Sequence, residues 1–127
     1  MKKEKKIILI ADDSKEIREL ANMILQEDFP QFHVESFEDG TSLESRLNKG
    51  INNVKLVVTD NRMPGITGFE IIEKYSRKPE YAGVRFILCY AGDEMIGKKA
   101  VENGAFDYIL KMEMIKYSKI VKRALNL

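Results

Sequence analysis

Short apolar runs and helix-type patterns alternate five times along this chain. Ile7-Ile8-Leu9-Ile10 is near-continuously apolar, as a strand buried on both faces requires. Ser14 then offers an N-cap, and Ile17, Leu20, Ala21 and Ile24 form one apolar stripe at helical spacing. Pro30 ends that region, and Phe32 to Phe37 alternates as a second strand whose polar members predict an edge position. Thr41-Ser42-Leu43-Glu44 has capping-box spacing for a helix that turns Leu43 and Leu47 inward and stops near Gly50. Val54 to Thr59 is a third strand, followed by a breaker-rich loop with Pro64, Gly65 and Gly68 and a third helix opened by Phe69, Ile71 and Ile72. Val84 to Cys89 is the fourth strand. Glu94 to Asn103 is the fourth helix, closed by Gly104, where a left-handed residue is wanted. Tyr108-Ile109-Leu110 is the fifth strand, and a last helix runs from about Lys116 to Leu125 with Ile120, Val121, Ala124 and Leu125 on its buried side.

Strands that alternate with helices imply βαβ units and a parallel sheet. Right-handed crossovers then place helices on both faces, giving a doubly wound α/β domain. No linker, low-complexity stretch or internal repeat interrupts the pattern, so one domain is expected over residues 1–127.

Composition narrows the function classes. Hydrophobic residues at 44% and charged residues at 32% suit a globular core. A net charge of +1, from 21 basic and 20 acidic residues, leaves no electrostatic footprint for nucleic acid or an anionic membrane. Lys2, Lys3, Lys5 and Lys6 are either an interaction tail or a solvated start to the first strand. The apolar run after them ends at Asp12-Asp13, too soon for a secretory signal, and no stretch reaches the roughly 18 apolar residues of a membrane span. A single cysteine, Cys89, fits a reducing cytoplasm and reads as a small core hydrophobe. His33, the one histidine, reads as a surface residue, and with Cys89 it is too small a set for zinc. Nucleotide-cradling glycine loops and a Ser-His-Asp set are absent from the sequence.

The candidate chemistry lies at the strand ends. In an open parallel sheet, sites form at the carboxyl ends of the strands, near the topological switch point. Asp12 and Asp13 follow strand one, Asp60 follows strand three, Tyr90-Ala91 follows strand four and Lys111 follows strand five. Three carboxylates brought together repel one another unless a cation neutralises them. A small set of oxygen ligands suits Mg²⁺, which keeps several waters and accepts a phosphate oxygen. Asp60 is then a carboxylate nucleophile towards a phosphoryl group, with the metal and the Lys111 ammonium stabilising the transferring oxygens. Taken singly these residues have plainer readings: an acidic helix start for Asp12-Asp13, a turn for Met63-Pro64-Gly65, a solvated strand end for Lys111, and core packing for Tyr90 and Tyr108.

Three segments, Ile8-Leu-Ile-Ala-Asp12-Asp13-Ser14, Thr59-Asp60-Asn-Arg-Met63-Pro64-Gly-Ile-Thr-Gly68 and Gly104-Ala-Phe-Asp107-Tyr108-Ile-Leu-Lys111, stand in an order and at intervals that resemble response-regulator receiver domains of two-component signalling. The resemblance covers essentially the whole chain, and Asp-x-x-Met-Pro-x-x-x-Gly is its most specific part. It implies a (βα)5 flavodoxin-like fold with strand order 2-1-3-4-5. It implies Asp60 as phosphoacceptor, with Mg²⁺ bound by Asp13, by Asp12 directly or through water, by Asp60 and by the backbone carbonyl of Arg62. Lys111 would pair with the phosphoryl oxygens. Tyr108 would be the aromatic whose rotamer reports phosphorylation on the face made by helix four, strand five and helix five. The donor would be a phosphohistidine on a sensor histidine kinase or phosphotransfer protein, and the receiver of the signal a downstream partner or an output domain. Such a domain is a cytoplasmic signalling module, not an enzyme, and itself contacts neither nucleic acid nor membrane.

Two positions depart from that family, and a third is unusual. Where the family places Thr or Ser before Ala at the end of strand four, this chain has Tyr90. A short hydroxyl reaches the phosphoryl oxygen from there and couples it to the switch face. A tyrosine is expected to swing outward or pack over the site, with phosphorylation retained and coupling altered. Met112 replaces the usual proline after the lysine, so the Lys111-Met112 bond is expected trans. Arg62, beside the phosphoacceptor, either obstructs attacking water or holds an anion. Two competing readings stand beside the phosphoacceptor: a degenerate receiver acting as a phosphorylation-independent interaction module, and a flavodoxin-like enzyme or cofactor binder sharing only the fold.

Overall fold

The structure is a computed structural model that describes residues 4–127. Five parallel strands, β1 (Ile7–Ala11), β2 (His33–Phe37), β3 (Val54–Thr59), β4 (Arg85–Tyr90) and β5 (Asp107–Leu110), form one sheet in the order β2-β1-β3-β4-β5. Between and after them run α1 (Lys15–Asp28), α2 (Gly40–Asn48), α3 (Gly68–Tyr75), α4 (Glu94–Glu102) and α5 (Tyr117–Ala124). The expected doubly wound architecture and strand order are both present.

Strand alternation sends side chains to two separate cores. Ile8, Ile10, Leu56, Val58, Ile87 and Ile109 face α1 and α5, where Ala21, Leu25, Tyr117 and Val121 are buried. Leu9, Val57, Phe86 and Leu88 face α2, α3 and α4, where Leu43, Leu47, Ile71, Ile72 and Ala100 are buried. Both faces of the central strands are covered, which is why their sequences read as unbroken apolar runs. β2 lies at the edge as expected, with His33 exposed.

Several boundaries differ from the sequence reading. The cap of α2 is Asp39, whose carboxylate accepts from Ser42 N–H at 2.7 Å, so Thr41 sits inside the first turn and the expected capping box is not formed. The capping box forms instead at α3, between Thr67 and Glu70. Leu20, expected in the buried stripe of α1, is 40% exposed, because Ala21 and Leu25 carry the inward line. The segment Lys111–Lys116 is a distorted 3-10 stretch, and α5 begins only at Tyr117. Of the four lysines near the start, Lys5 and Lys6 are exposed, while Lys2 and Lys3 lie outside the described residues. Among the described residues there is no cis peptide bond, so Lys111-Met112 is trans as expected.

Candidate functional site

The register places the two central carboxylates side by side. Ala11 is paired with Thr59, and the residues that follow, Asp12 and Asp60, leave β1 and β3 at the same level. Ladder-like bonds continue one step further: Asp60 N–H donates to the Ala11 carbonyl at 2.8 Å and Asp12 N–H to the Phe37 carbonyl at 3.0 Å. This is the point where the chain crosses from β2 on one side of β1 to β3 on the other, the topological switch point.

Local contacts hold each carboxylate. Asp12 Oδ1 accepts from Ser14 N–H at 2.9 Å, and the Asp12 carbonyl accepts from the Arg18 guanidinium at 2.7 Å. Ser14 caps α1 by accepting from Ile17 N–H. Asp60 Oδ1 accepts from Asn61 N–H at 2.7 Å. Asn61 fixes the start of α3 twice, its carbonyl accepting from Gly68 N–H and its Oδ1 from Phe69 N–H, both at 3.0 Å. Gly68 is required by proximity: a Cβ there would stand 2.0 Å from the Asp60 carbonyl oxygen. The breaker-rich loop therefore sets the depth of Asp60 by seating α3 on its backbone.

One ligand oxygen from each of Asp12, Asp13 and Asp60 lies within 4.8 Å of the others. Asp12 and Asp60 are each 5% exposed, whereas Asp13 stands in solvent at the rim. Lys111, entering from the far side of β4, places Nζ 2.9 Å from Asp12 Oδ2 and 2.9 Å from Asp60 Oδ2. Burial raises the Asp60 carboxyl to about 6 and the neighbouring Asp12 adds to that, while Lys111 and Asn61 N–H pull the other way. Burial disfavours the Lys111 ammonium, yet its two carboxylate partners together hold its pKa above the ordinary lysine value. The corner is thus a partly neutralised anionic pocket in which one ammonium bridges two of three carboxylates. All of its donors are oxygens, and their spacing suits a small hard divalent ion. Arg62, two residues beyond Asp60, is exposed.

The remaining expected residues lie elsewhere. Tyr90 neither swings outward nor packs over the acidic corner, and that expectation is corrected. It is 1% exposed, and its hydroxyl is bonded to the backbone of α4, donating to the Asp93 carbonyl at 2.5 Å and accepting from Gly97 N–H at 2.7 Å. A tyrosine ring leaving the end of β4 is long enough to pass beneath the helix, and the helix's first turn satisfies its hydroxyl there. Tyr108 is half-buried on β5 and donates to Glu94 Oε1 at 2.8 Å, a contact that pushes its pKa up to about 12. Cys89 is buried, and burial pushes its thiol to about 12, as suits a core residue. The supporting roles of Arg18, Asn61 and Gly68 were not legible beforehand. Gly68 was legible as a breaker and as the last residue of the Asp-x-x-Met-Pro-x-x-x-Gly motif, and Asn61 was given no role of its own.

A family model for the response regulator receiver domain matches residues 8–124. The chain belongs to this family. Among curated relatives of the receiver domain, the cyclic di-GMP phosphodiesterase response regulator RpfG of Xanthomonas campestris pv. campestris is 31% identical over 105 residues, 82% of this chain. The regulatory protein VanRc of Enterococcus gallinarum is 33% identical over 104 residues, again 82% of this chain. The chain spans 27% of the first protein's length and 42% of the second's. Among solved structures, the signal receiver domain of a DNA binding response regulator protein (merR) from Colwellia psychrerythraea 34H superposes with a TM-score of 0.84 over 96% of this chain and 99% of that one, at 21% identity, a likeness of fold. No helix of the described receiver is long and apolar enough to cross a membrane.

Proposed function

We propose that residues 1–127 are one phosphoacceptor domain in which Asp60 takes a phosphoryl group in an Mg²⁺-dependent reaction. The observation that carries this is the meeting of Asp12, Asp13 and Asp60, with the Lys111 ammonium bridging Asp12 and Asp60. Asp12, Asp13, Asp60 and the Arg62 carbonyl would hold the cation. When bound, it neutralises the carboxylates and the charge on the phosphoryl oxygens.

The chain's own residues do the rest. An Asp60 carboxylate oxygen attacks phosphorus in line; the phosphorus–nitrogen bond of a donor phosphohistidine breaks, and its electron pair stays on the imidazole, which takes up a proton. The Asn61 N–H fixes Asp60 Oδ1 and so leaves Oδ2, the oxygen now paired with Lys111, as the attacking atom. Lys111 then passes from that oxygen to the transferred phosphoryl group, for which a flexible ammonium is suited. Exposed Asp13 sits where donor and solvent enter.

The donor is a sensor histidine kinase or phosphotransfer protein, and the signal passes to a downstream protein or an output domain. The domain works in the cytoplasm as a switch and not as an enzyme, and needs neither nucleic acid nor membrane for this. Incubation with Mg²⁺ and acetyl phosphate tests the reading. Intact mass is expected to show one phosphoryl addition that disappears in Asp60→Asn and on chelation. No addition with acetyl phosphate or a phosphohistidine donor refutes it.

A further inference from the structure

We propose that Tyr90 bolts the first turn of α4 to the end of β4, holding the α4–β5 face, Tyr108 included, in one arrangement whatever the state of Asp60. This deepens the phosphoacceptor reading and rests on it.

The bolt is visible in the hydrogen bonds. In a regular helix the Gly97 N–H would donate to the Asp93 carbonyl, four residues back. Here the Tyr90 hydroxyl stands between them, accepting from Gly97 and donating to Asp93. The Asp93 carbonyl keeps only a short-range bond from Ile96 N–H at 3.1 Å. A side chain from the sheet has thus become a rung of the helix. Gly97 is buried, so withdrawing the rung would leave its N–H without a partner, while the exposed Asp93 carbonyl would keep its bond from Ile96.

Tyr108 grips the same turn from outside. Its hydroxyl donates to Glu94, and its ring packs against Gly97, where a Cβ would come within 2.3 Å of ring carbons. The two tyrosine rings are 6.5 Å apart between centroids. The Tyr90 ring, 1% exposed, occupies the interior volume beneath α4 beside Tyr108. Gly92, with φ of +147°, lets the β4–α4 loop fold closely around that ring.

A hydroxyl engaged with α4 cannot also answer a phosphoryl group on Asp60. The path from the acidic corner to α4 therefore ends at β4, and a partner that senses Asp60 must touch the mouth of the pocket itself.

NMR of the full chain tests this, using Mg²⁺ alone and Mg²⁺ with beryllofluoride as a phosphoryl stand-in. Occupancy is read separately, from a bound fluorine resonance that Asp60→Asn abolishes. With the site occupied, amides flanking Asp13 and Asp60 are expected to shift in the wild type while residues 94–98 and the Tyr108 ring stay in place. In Tyr90→Thr, which opens the space beneath α4, those resonances are expected to move as well. Tyr90→Phe keeps the ring that spreads the rung but removes the bridging hydroxyl, and is expected to speed amide exchange at Gly97 roughly fivefold or more. Movement of α4 and Tyr108 in the occupied wild type overturns the bolt, also where Tyr90→Thr fails to fold. Absence of any bound fluorine signal refutes the phosphoacceptor reading instead; the bolt is then sustained by faster Gly97 exchange in Tyr90→Phe and overturned by an unchanged rate.

Discussion

The ends of β3 and β4 lie side by side, and the chain treats them in opposite ways. At β3, Asp60 points into an open polar corner where its charge is only partly compensated. At β4, Tyr90 points beneath a helix where every polar atom it carries is satisfied. The first end keeps uncompensated charge, which on the proposed function is what takes a cation and a phosphoryl group. The second is finished. If two neighbouring strands of one sheet separate reactivity from rigidity in this way, each should be alterable without the other.

The largest expected effect falls on the reactive end. Asp60→Asn should abolish phosphoryl addition by intact mass, while Tyr90→Phe should leave it in place. Loss in both would merge the two ends into one device.

Next comes the support beneath Asp60. Gly68→Ala drives a Cβ against the Asp60 carbonyl, a backbone group that cannot swing away, and should destabilise the fold by about 3 kcal/mol in urea melts. Gly97→Ala drives a Cβ to 2.3 Å from Tyr108 Cγ and Cδ2 and 2.9 Å from its Cβ, the rooted end of a side chain rather than a backbone carbonyl, and should cost about 2 kcal/mol. Equal losses would show the β4 side to be as unyielding as the β3 side.

Smaller again is the pH response. With its folded-state pKa raised from 3.8 to about 6, Asp60 binds protons more tightly in the native state than in the unfolded chain. Its contribution to stability is therefore full below about pH 4 and is lost as pH rises through about 6, on the order of 2 kcal/mol after allowing for screening at the pocket mouth. Comparing metal-free wild type with Asp60→Asn across that range should isolate this slope, and Mg²⁺ should reverse it above pH 6. A difference that is flat with pH would deny the strain at β3.

The smallest effect is that of Tyr90→Phe on global stability, about 1 kcal/mol by urea denaturation, one bridging hydroxyl being removed. A neutral result would mean that the helix closes its own rung.

Much of this was legible in advance, for a physical reason. The central strands β1 and β3 are buried on both faces, so their runs are uninterrupted and their ends sharply marked by Asp12 and Asp60, while Lys111 follows the short edge strand β5. Helix starts were less legible: Asp39, Thr41 and Ser42 are all good capping types, and only the fold decides that Asp39 caps. Tyr117 is fully buried at the start of α5, but the apolar stripe that betrays that helix begins at Ile120. The direction of Tyr90 was illegible altogether. Its destination is a backbone rung formed by residues whose placement depends on how α4 packs, and no local pattern encodes that.

The Lys111 bridge joins positions 51 and 99 residues apart along the chain. Lys111 follows β5, so this contact can form only once the fifth βα unit has docked. Until the fifth βα unit docks, Asp12 and Asp60 face one another with no ammonium between them. A nascent or partly opened domain therefore carries the acidic pair without its counter-charge, and competence at Asp60 becomes a report that the entire chain has closed.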